Sequence, residues 1–512
     1  MLQFIVRRVL MGALVLLLSS FLCYLMVDVA VDPLEDLYTS TDPDAPTLIQ
    51  ERIEQLNLDR SSVERYFMWA GAFITGDPGT SWLTGRPVAE ELRGAVIGTV
   101  QLVTAATFLS IFLGIGVGIV SALRQYSGFD YLVVFFSFVL YSLPVFWVAV
   151  LLKQWGAIGF NDFLADPFLS PITIIVVALV AGVLISLAIA GPPRRRVISI
   201  LGGAVAVGAM LFYLQGTGWW NEPHIGPELL LLNGLAAGFG ITLLSTGLEH
   251  RRALYSSLTV VGLTLVLYFP VNMLFDYLDG AQLTGWPIIV ALGVVTVASG
   301  VLVGRLFGGP DWSQSARTAG IVAAIMGAMV LLDRIMQFWP SYNANSRISG
   351  RPIRTFQERT PGFEGNFWEV TLNTFGHLIL PTLALMLISF ATYTRFSRGS
   401  MLEVMNQDYM RTARAKGLGE RTVIMRHGFR NTLIPLATIV PVDIITLLGG
   451  ALITERIFAR PGMGTMFLNN LEENVMEPVM AYLVIVAALA ILANIVADLL
   501  YAALDPRIRV SA

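Results

Sequence analysis

Long apolar runs separated by short polar breaks set the pattern of this chain. Twelve stretches are almost free of charge, near 6–27, 97–123, 131–152, 171–190, 197–214, 229–247, 254–275, 286–307, 318–336, 377–397, 432–453 and 479–503. Each is long enough for a helix to cross ~30 Å of hydrocarbon. None shows the ten-residue alternation of a transmembrane β-barrel. The pattern predicts an all-α polytopic membrane protein.

The polar breaks add an orientation. Arg7 and Arg8 precede the first run, and no small-residue cleavage site follows it, so it reads as an uncleaved first span with a cytoplasmic N-terminus. Alternation then puts Arg124, Arg194–Arg196, Arg251, Arg252, Arg305 and Arg317 on the cytoplasmic side. Trp219, Trp220, Glu222, Asp276 and Asp279 fall outside, which is a positive-inside arrangement with aromatic residues at the interface. One loop runs against it. Residues 340–376 are predicted outside yet carry Arg347, Arg351, Arg354 and Arg359.

Composition agrees with the pattern. The 512 residues are 55% hydrophobic and 13% charged, against about 25% charged for a soluble domain. The net charge of −3 adds little. The single cysteine, Cys23, lies in the first apolar run, so no disulfide forms within the chain. The segment 29–94 is too polar for the membrane, with twelve Asp/Glu against five Arg, and has helical stretches near 47–57 and 61–74. It reads either as a solvated cap or as a docking surface for an external partner.

The most unusual segment is Arg-rich and lies between two apolar runs: DYMRTARAKGLGERTVIMRHGFRNTLIP, residues 408–435. A first helix is expected over about 401–416, with Leu402, Met405, Tyr409 and Ala413 on one face. Arg414 and Lys416 fall in its last turn, where the helix dipole favours cations. Gly417 and Gly419 break it, and a second helix is expected from Glu420 to about Arg430. Two short helices joined by a glycine turn make a rigid cytoplasmic knob.

This block resembles the cytoplasmic coupling (EAA) loop of bacterial ABC-importer permeases, above all the B-type permeases of the dipeptide/oligopeptide/nickel group. In that loop a small-residue triplet comes shortly before a glycine; here they are Arg411-Thr412-Ala413 and Gly417, with Arg411 in place of the general motif's Glu. The likeness extends in family order through LNLDRSSVERY (56–66), GDPGTSWLTGRPVAEEL (76–92), YSLPVFWVAVLL (141–152), HLILPTLAL (377–385), TERIFARPGMG (454–464) and LDPRIR (504–509). It covers about 1–155 and 370–512.

The resemblance implies a six-helix type I permease core plus about six inserted helices. Residues 1–28 are then the first span, 29–94 extracytoplasmic, 95–155 core spans two and three, and 156–370 the insertion with its external loop 340–376. Residues 371–512 hold core spans four to six and the coupling loop 401–431. The inserted spans must be even in number for the Arg-rich block to face the cytoplasm. The insertion looks plain and poor in ionisable groups, which reads as a peripheral scaffold; a lipid or subunit site is the sharper alternative. No internal repeat is visible within it.

The resemblance also implies a mechanism and partners: a second, C-type permease, two ABC ATPase subunits, an extracytoplasmic substrate-binding protein and the surrounding lipid of a bacterial cytoplasmic membrane, with both termini cytoplasmic. The chain has no G-x-x-x-x-G-K-[ST] sequence and is expected to bind no cofactor itself, ATP and Mg being used by the ATPases. Met405, Tyr409, Ala413, Gly417 and Leu418 are the expected ATPase contacts, with Arg411, Arg414, Lys416, Arg421 and Arg426 at the rim. Asp443 is the notable ionisable group inside a core span, expected either on the translocation pathway or in a bond to the second permease. Glu455, Arg456 and Arg460 are expected at an external gate or a docking face for the binding protein. Asn373 and Lys153 are expected to snorkel from span ends, and Asp498, Asp505 and Arg507 to be structural.

The expected cargo is di- or oligopeptides, with nickel chelates, oligosaccharides or other solutes as alternatives on the same machinery. An ion-coupled secondary transporter is the rival of a different class, but it calls for two repeated halves with midplane ionisable residues. A membrane enzyme fits least. His224, His250, His377 and His427 form no metal-binding spacing.

Overall fold

A computed structural model describes residues 2–189 and 191–504. The described residues are helices joined by short loops. The first is α1 (Leu2–Ala30); α2 (Glu35–Tyr38), α3 (Ala45–Leu56) and α4 (Ser62–Ile74) then form the polar segment. α5 (Val88–Leu123) leads to α6 (Gly128–Ser142) and α7 (Val145–Leu151), which continues through a wide-turn stretch, Leu152–Gly159, into α8 (Phe160–Ala165). Six helices follow: α9 (Pro171–Ile189), α10 (Pro193–Gly216), α11 (Gly226–Ser245), α12 (Arg251–Gly280), α13 (Trp286–Gly308) and α14 (Trp312–Gln337). After the short α15 (Trp339–Ala344) come α16 (Phe367–Met405), α17 (Asp408–Ala415), α18 (Glu420–Thr422), α19 (Arg430–Ile457), α20 (Met463–Glu472) and α21 (Met476–Leu504).

Among the described residues eleven helices are long and apolar enough to cross a membrane, and twelve crossings result when the bent pair α6 and α7–α8 counts as one. That pair corrects the expectation of a straight span over 131–152, because the chain turns by 103° between its members. The cause is local. Pro144 pushes Leu143 into extended backbone (φ −83°, ψ 130°) and caps α7 without an N–H of its own. The fifteen residues of α6 span only about 22 Å, too little for the bilayer alone.

Pairings at the helix ends fix the up-and-down order. At one end Arg8 meets Asp498 at 3.0 Å, and Arg398 holds Asp130 through Nε at 2.7 Å and Nη2 at 2.9 Å. At the other end Arg351 meets Asp162 at 3.3 Å, and Arg334 meets Asp276 and Asp279 at 2.7 and 2.8 Å. The ends joined in each set are those that an alternating twelve-crossing path brings together. Asp498 is thus placed in an ion pair with the first helix; Asp505 and Arg507 lie outside the described residues.

Small residues set the closest helix pairs. α5 meets α16 at Gly114 and Gly118: a Cβ on Gly118 would stand 2.0 Å from Ser397 Oγ and 2.5 Å from the Thr394 carbonyl. The four-residue spacing of the two glycines lets the backbones approach as membrane helices do when apolar surface alone gives no drive to associate. α13 meets α14 in the same way at Gly300 and Gly304.

The loop that runs against the charge pattern is tied down rather than free. Arg354 reaches the carbonyls of Arg347 and Ile348, Asn161 exchanges hydrogen bonds with Ile353, and the Gln357 N–H donates to the Phe458 carbonyl at 3.0 Å. Arg354 therefore serves packing on the protein, and Arg351 pairs at the surface with Asp162, while Arg347 and Arg359 are exposed. The polar segment is more than a solvated cap. Tyr66 of α4 is buried against Tyr24 and Met480, its hydroxyl 2.8 Å from Ser20 Oγ, and Arg65 meets Asp28 at 2.8 Å.

The six extra helices carry buried charge, which corrects the expectation that they are plain. Asp333 is 1% exposed and accepts from the Ile225 and Gly226 N–H groups, Tyr268 Oη and Gln337 Nε2. Next to it Arg334 grips Asp276 and Asp279, and the indole N–H of Trp368 donates to both Asp279 oxygens at 2.8 and 3.0 Å. Because every oxygen of Asp333 is answered, the carboxylate is tolerable in the interior and caps α11 while binding α12 and α14. Trp368 extends the network to α16. The sequence pattern hid it because both charges sit near the end of an otherwise apolar run.

Candidate functional site

The Arg-rich block forms a compact knob at the end of the bundle where Arg8 and Asp498 meet. α16 continues to Met405, so the expected first helix over 401–416 is two pieces. The chain breaks at Asn406 and Gln407, the latter in extended backbone (φ −72°, ψ 149°), before α17 begins at Asp408. Gly417 adopts φ +73°, the left-handed conformation that glycine takes without penalty, and reverses the chain after α17. The second helix does not stop at Arg430. It starts at Glu420, widens over Val423–Phe429 and runs without a break into α19. The knob is thus continuous with a spanning helix on each side, through a tight turn at one junction and a wide helical stretch at the other.

The interior of the knob is small and apolar. Met410, Ala413 and Val423 are buried together, with Val404 and Met405 half-buried against them. A Cβ on Gly428 would come 3.2 Å from Met401 Cε and 3.4 Å from Met410 Cε, and Thr432 Oγ1 donates to Met401 Sδ at 3.2 Å. Across the glycine turn Arg414 clasps Glu420. That guanidinium holds the Glu420 carboxyl below the usual carboxylate range and is itself raised by the same bond.

The exposed face sorts the expected residues. Tyr409, Gly417 and Leu418 are exposed, and so is Met425 at 56%, missed in the sequence because it falls outside the expected apolar face. Ala413 is buried and Met405 half-buried, so they support the knob from within rather than present a contact. Arg411 is exposed, 3.7 Å from Asp408. Arg414 is engaged with Glu420, which removes it from the free rim. Lys416, Arg421 and Arg426 are exposed and form no ion pair among the described residues.

Asp443 lies half-buried on α19, where its carboxylate interacts with Tyr393 and Ser389 of α16. Lys153 does not snorkel: its Nζ donates to the Ile457 carbonyl at 3.0 Å. Asn373 is 2% exposed and exchanges hydrogen bonds with Thr360, so it too is held inside the protein.

The segment after α19 is corrected in part. Glu455 is 1% exposed, accepts from Thr99 Oγ1 at 2.5 Å, and receives the Gly464 and Thr465 N–H groups at 2.9 and 3.2 Å. These are the first free N–H groups of α20, which favour an anion. A Cβ on Gly462 would come 2.3 Å from the Glu455 carboxyl, so the glycine makes room for it. Arg460 is also 1% exposed. Glu455 is enclosed and staples α19, α20 and α5, while Arg460 sits in a cleft wall rather than on a face displayed to a docking protein. Arg456 alone remains exposed, paired with Glu472 at 2.8 Å.

The family model for the inner membrane component of binding-protein-dependent transport systems matches residues 254–510. The chain belongs to that family. Among relatives, the oligopeptide transport system permease protein OppB of Mycobacterium bovis is 35% identical over 45% of this chain and 76% of its own length. The dipeptide transport system permease protein DppB of Escherichia coli is 42% identical over 29% of this chain and 42% of its own length. A DppB from Alkalihalophilus pseudofirmus is 25% identical over 91% of this chain and 87% of its own length. That last match takes in most of the six extra helices, so they are shared with a relative of comparable length, and likeness to this permease family is wider than 1–155 and 370–512.

Proposed function

We propose that this permease is the transmembrane subunit of an ATP-driven importer of di- and oligopeptides, fed by an extracytoplasmic binding protein and paired with a second, C-type permease. The knob at 401–431 faces the cytoplasm and seats one of two ABC ATPase subunits, which bind and hydrolyse ATP with Mg. Both termini lie on the same side. Closure of the ATPases displaces the knob, and the helices rooted in it, α16 and α19, swing the pathway between inward-open and outward-open, a rigid-body switch.

The observation that carries this reading is the build of the knob. A buried core of Met410, Ala413 and Val423 makes it rigid, and its two ends are the continuations of spanning helices. The knob's exposed Tyr409, Leu418 and Met425, with its exposed Lys416, Arg421 and Arg426, suit a partner with an apolar groove and acidic edge. The peptide cargo is supported by the names of the relatives. Co-purification of the native complex, with mass spectrometry of proteins and ligand, tests the whole reading: an ATPase, a second permease and bound peptide are expected, and a complex without an ATPase overturns it.

A further inference from the structure

At the end of the bundle opposite the knob, a cleft of about 920 Å3 opens between the first turns of α5, residues 357–359 and the start of α20. Arg460 stands in its wall. The backbone there is pinned, the Arg460 N–H donating to the Glu455 carbonyl at 2.8 Å and its carbonyl accepting from Thr465 Oγ1 at 3.1 Å. The guanidinium is buried, yet among the described residues only Nη2 has a partner, Gln101 Oε1 at 3.3 Å, and Nε and Nη1 have none.

A guanidinium keeps its proton in any protein environment, so a buried one without an anion is costly. The neighbouring acids do not answer it. Glu455 spends one oxygen on Thr99 and the other on two backbone N–H groups. Glu358 lines the same cleft and its charge acts on Arg460, but the two form no ion pair among the described residues. What is left is a fixed cation with buried, unanswered donors in the wall of a cavity, and a carboxylate is the ligand whose geometry and charge it matches best. Glu90 and Glu358, both in the cleft wall and neither in an ion pair among the described residues, suit an ammonium group at a distance from it.

We propose that Arg460 binds the carboxylate of the incoming peptide's C-terminus in this cleft, an entry site on the permease itself. The proposal rests on the peptide-importer reading and names the part of the substrate this chain recognises.

The test uses the whole complex of both permeases and both ATPases, and a tripeptide supplied either as the free acid or as its C-terminal amide. Saturation-transfer NMR on the purified complex, without binding protein, reads contact directly. The free acid is expected to bind at least tenfold more tightly than the amide, as loss of a charge-assisted hydrogen bond implies. Arg460→Gln removes that preference and Arg460→Lys keeps part of it. Equal binding of acid and amide by the unaltered complex overturns the proposal, as does a preference that survives Arg460→Gln, or a loss that is equal for both forms. Uptake into proteoliposomes with the binding protein is measured alongside. Failure of the unaltered complex to take up either form rejects the peptide cargo, whereas the NMR arms judge Arg460 separately.

Discussion

Arg414 and Glu420 face each other across the Gly417 turn, Nη2 to Oε1 at 2.9 Å and Nε to Oε2 at 3.1 Å. The paired geometry aligns α17 with the start of the helix that becomes α19. Both groups are largely solvated, so the bond orients the turn more than it stabilises the protein. Glu420→Arg should misalign the knob and lower uptake per ATP hydrolysed, and adding Arg414→Glu should restore it. Failure of the double exchange to recover coupling would separate the pair from coupling.

The same pair sets a pH dependence. The Glu420 carboxyl is held below its ordinary value by Arg414, so the contribution of the bond is present above the usual carboxylate range. It is lost as pH falls through the lowered folded value. Spin labels at Thr412 and Thr422 should give a narrow distance distribution at neutral pH that broadens only in acid, and Glu420→Gln should broaden it at neutral pH.

Gly417 allows a steric test that leaves the fold intact. A Cβ there meets no atom within 4 Å, so the cost of a side chain within this chain is the left-handed backbone, about 1 kcal/mol. Asn tolerates that conformation well. Gly417→Asn should therefore couple nearly normally, while Gly417→Trp, with far more bulk and a larger backbone cost, should leave ATP hydrolysis running without uptake. Unchanged uptake and stimulated hydrolysis in Gly417→Trp would show that this face of the knob touches no partner.

Gly118 and Gly116 form a contrasting pair on α5. Gly118→Ala puts a methyl group into Ser397 and the Thr394 carbonyl, whereas Gly116→Ala points into open space. The first should cost about 1–3 kcal/mol through forced separation of α5 and α16. Thermal unfolding in detergent should show a clear loss for Gly118→Ala and none for Gly116→Ala.

Asp333→Ala should strip four donors of their acceptor and leave Arg334 beside an incomplete network. A loss of several kcal/mol is expected, since each buried donor left without an acceptor costs about 1–3 kcal/mol. Proteolysis should then open the loop between α10 and α11 first, because the Ile225 and Gly226 N–H groups lose their cap. A variant as resistant as the original would show that the network is dispensable.

The helices were legible because hydrocarbon demands long apolar runs, and the knob because glycines and arginines interrupt them. Its details were not. The expected face of Leu402, Met405, Tyr409 and Ala413 assumed one straight helix, and the break at Gln407 rotates α17 so that Met410 points inward and Tyr409 outward. Asp333 and Arg334 escaped notice because adjacent charges near a helix end read as interface, and only tertiary packing shows them enclosed. The burial of Glu455 and Arg460 depends on Thr99 and Gln101, more than 350 residues earlier in the chain, a pairing that no local pattern reveals.

The long helix α16 ties two of these features together. Its first turn is held by Trp368 on Asp279, its last turn enters the knob at Met405, and Pro381 interrupts the backbone ladder between them. A shaft clamped at one end and pushed at the other bends where it is weakest. Under the proposed coupling, a displacement at Met405 reaches first the half of α16 beyond Pro381, which carries Ser389 and Tyr393 alongside Asp443 and packs on α5 at Gly114 and Gly118, so α5 shifts with it. Under the same proposal the six extra helices, joined to the first turn of α16 through Trp368 and Asp279, are the fixed body against which that half-helix and α5 shift.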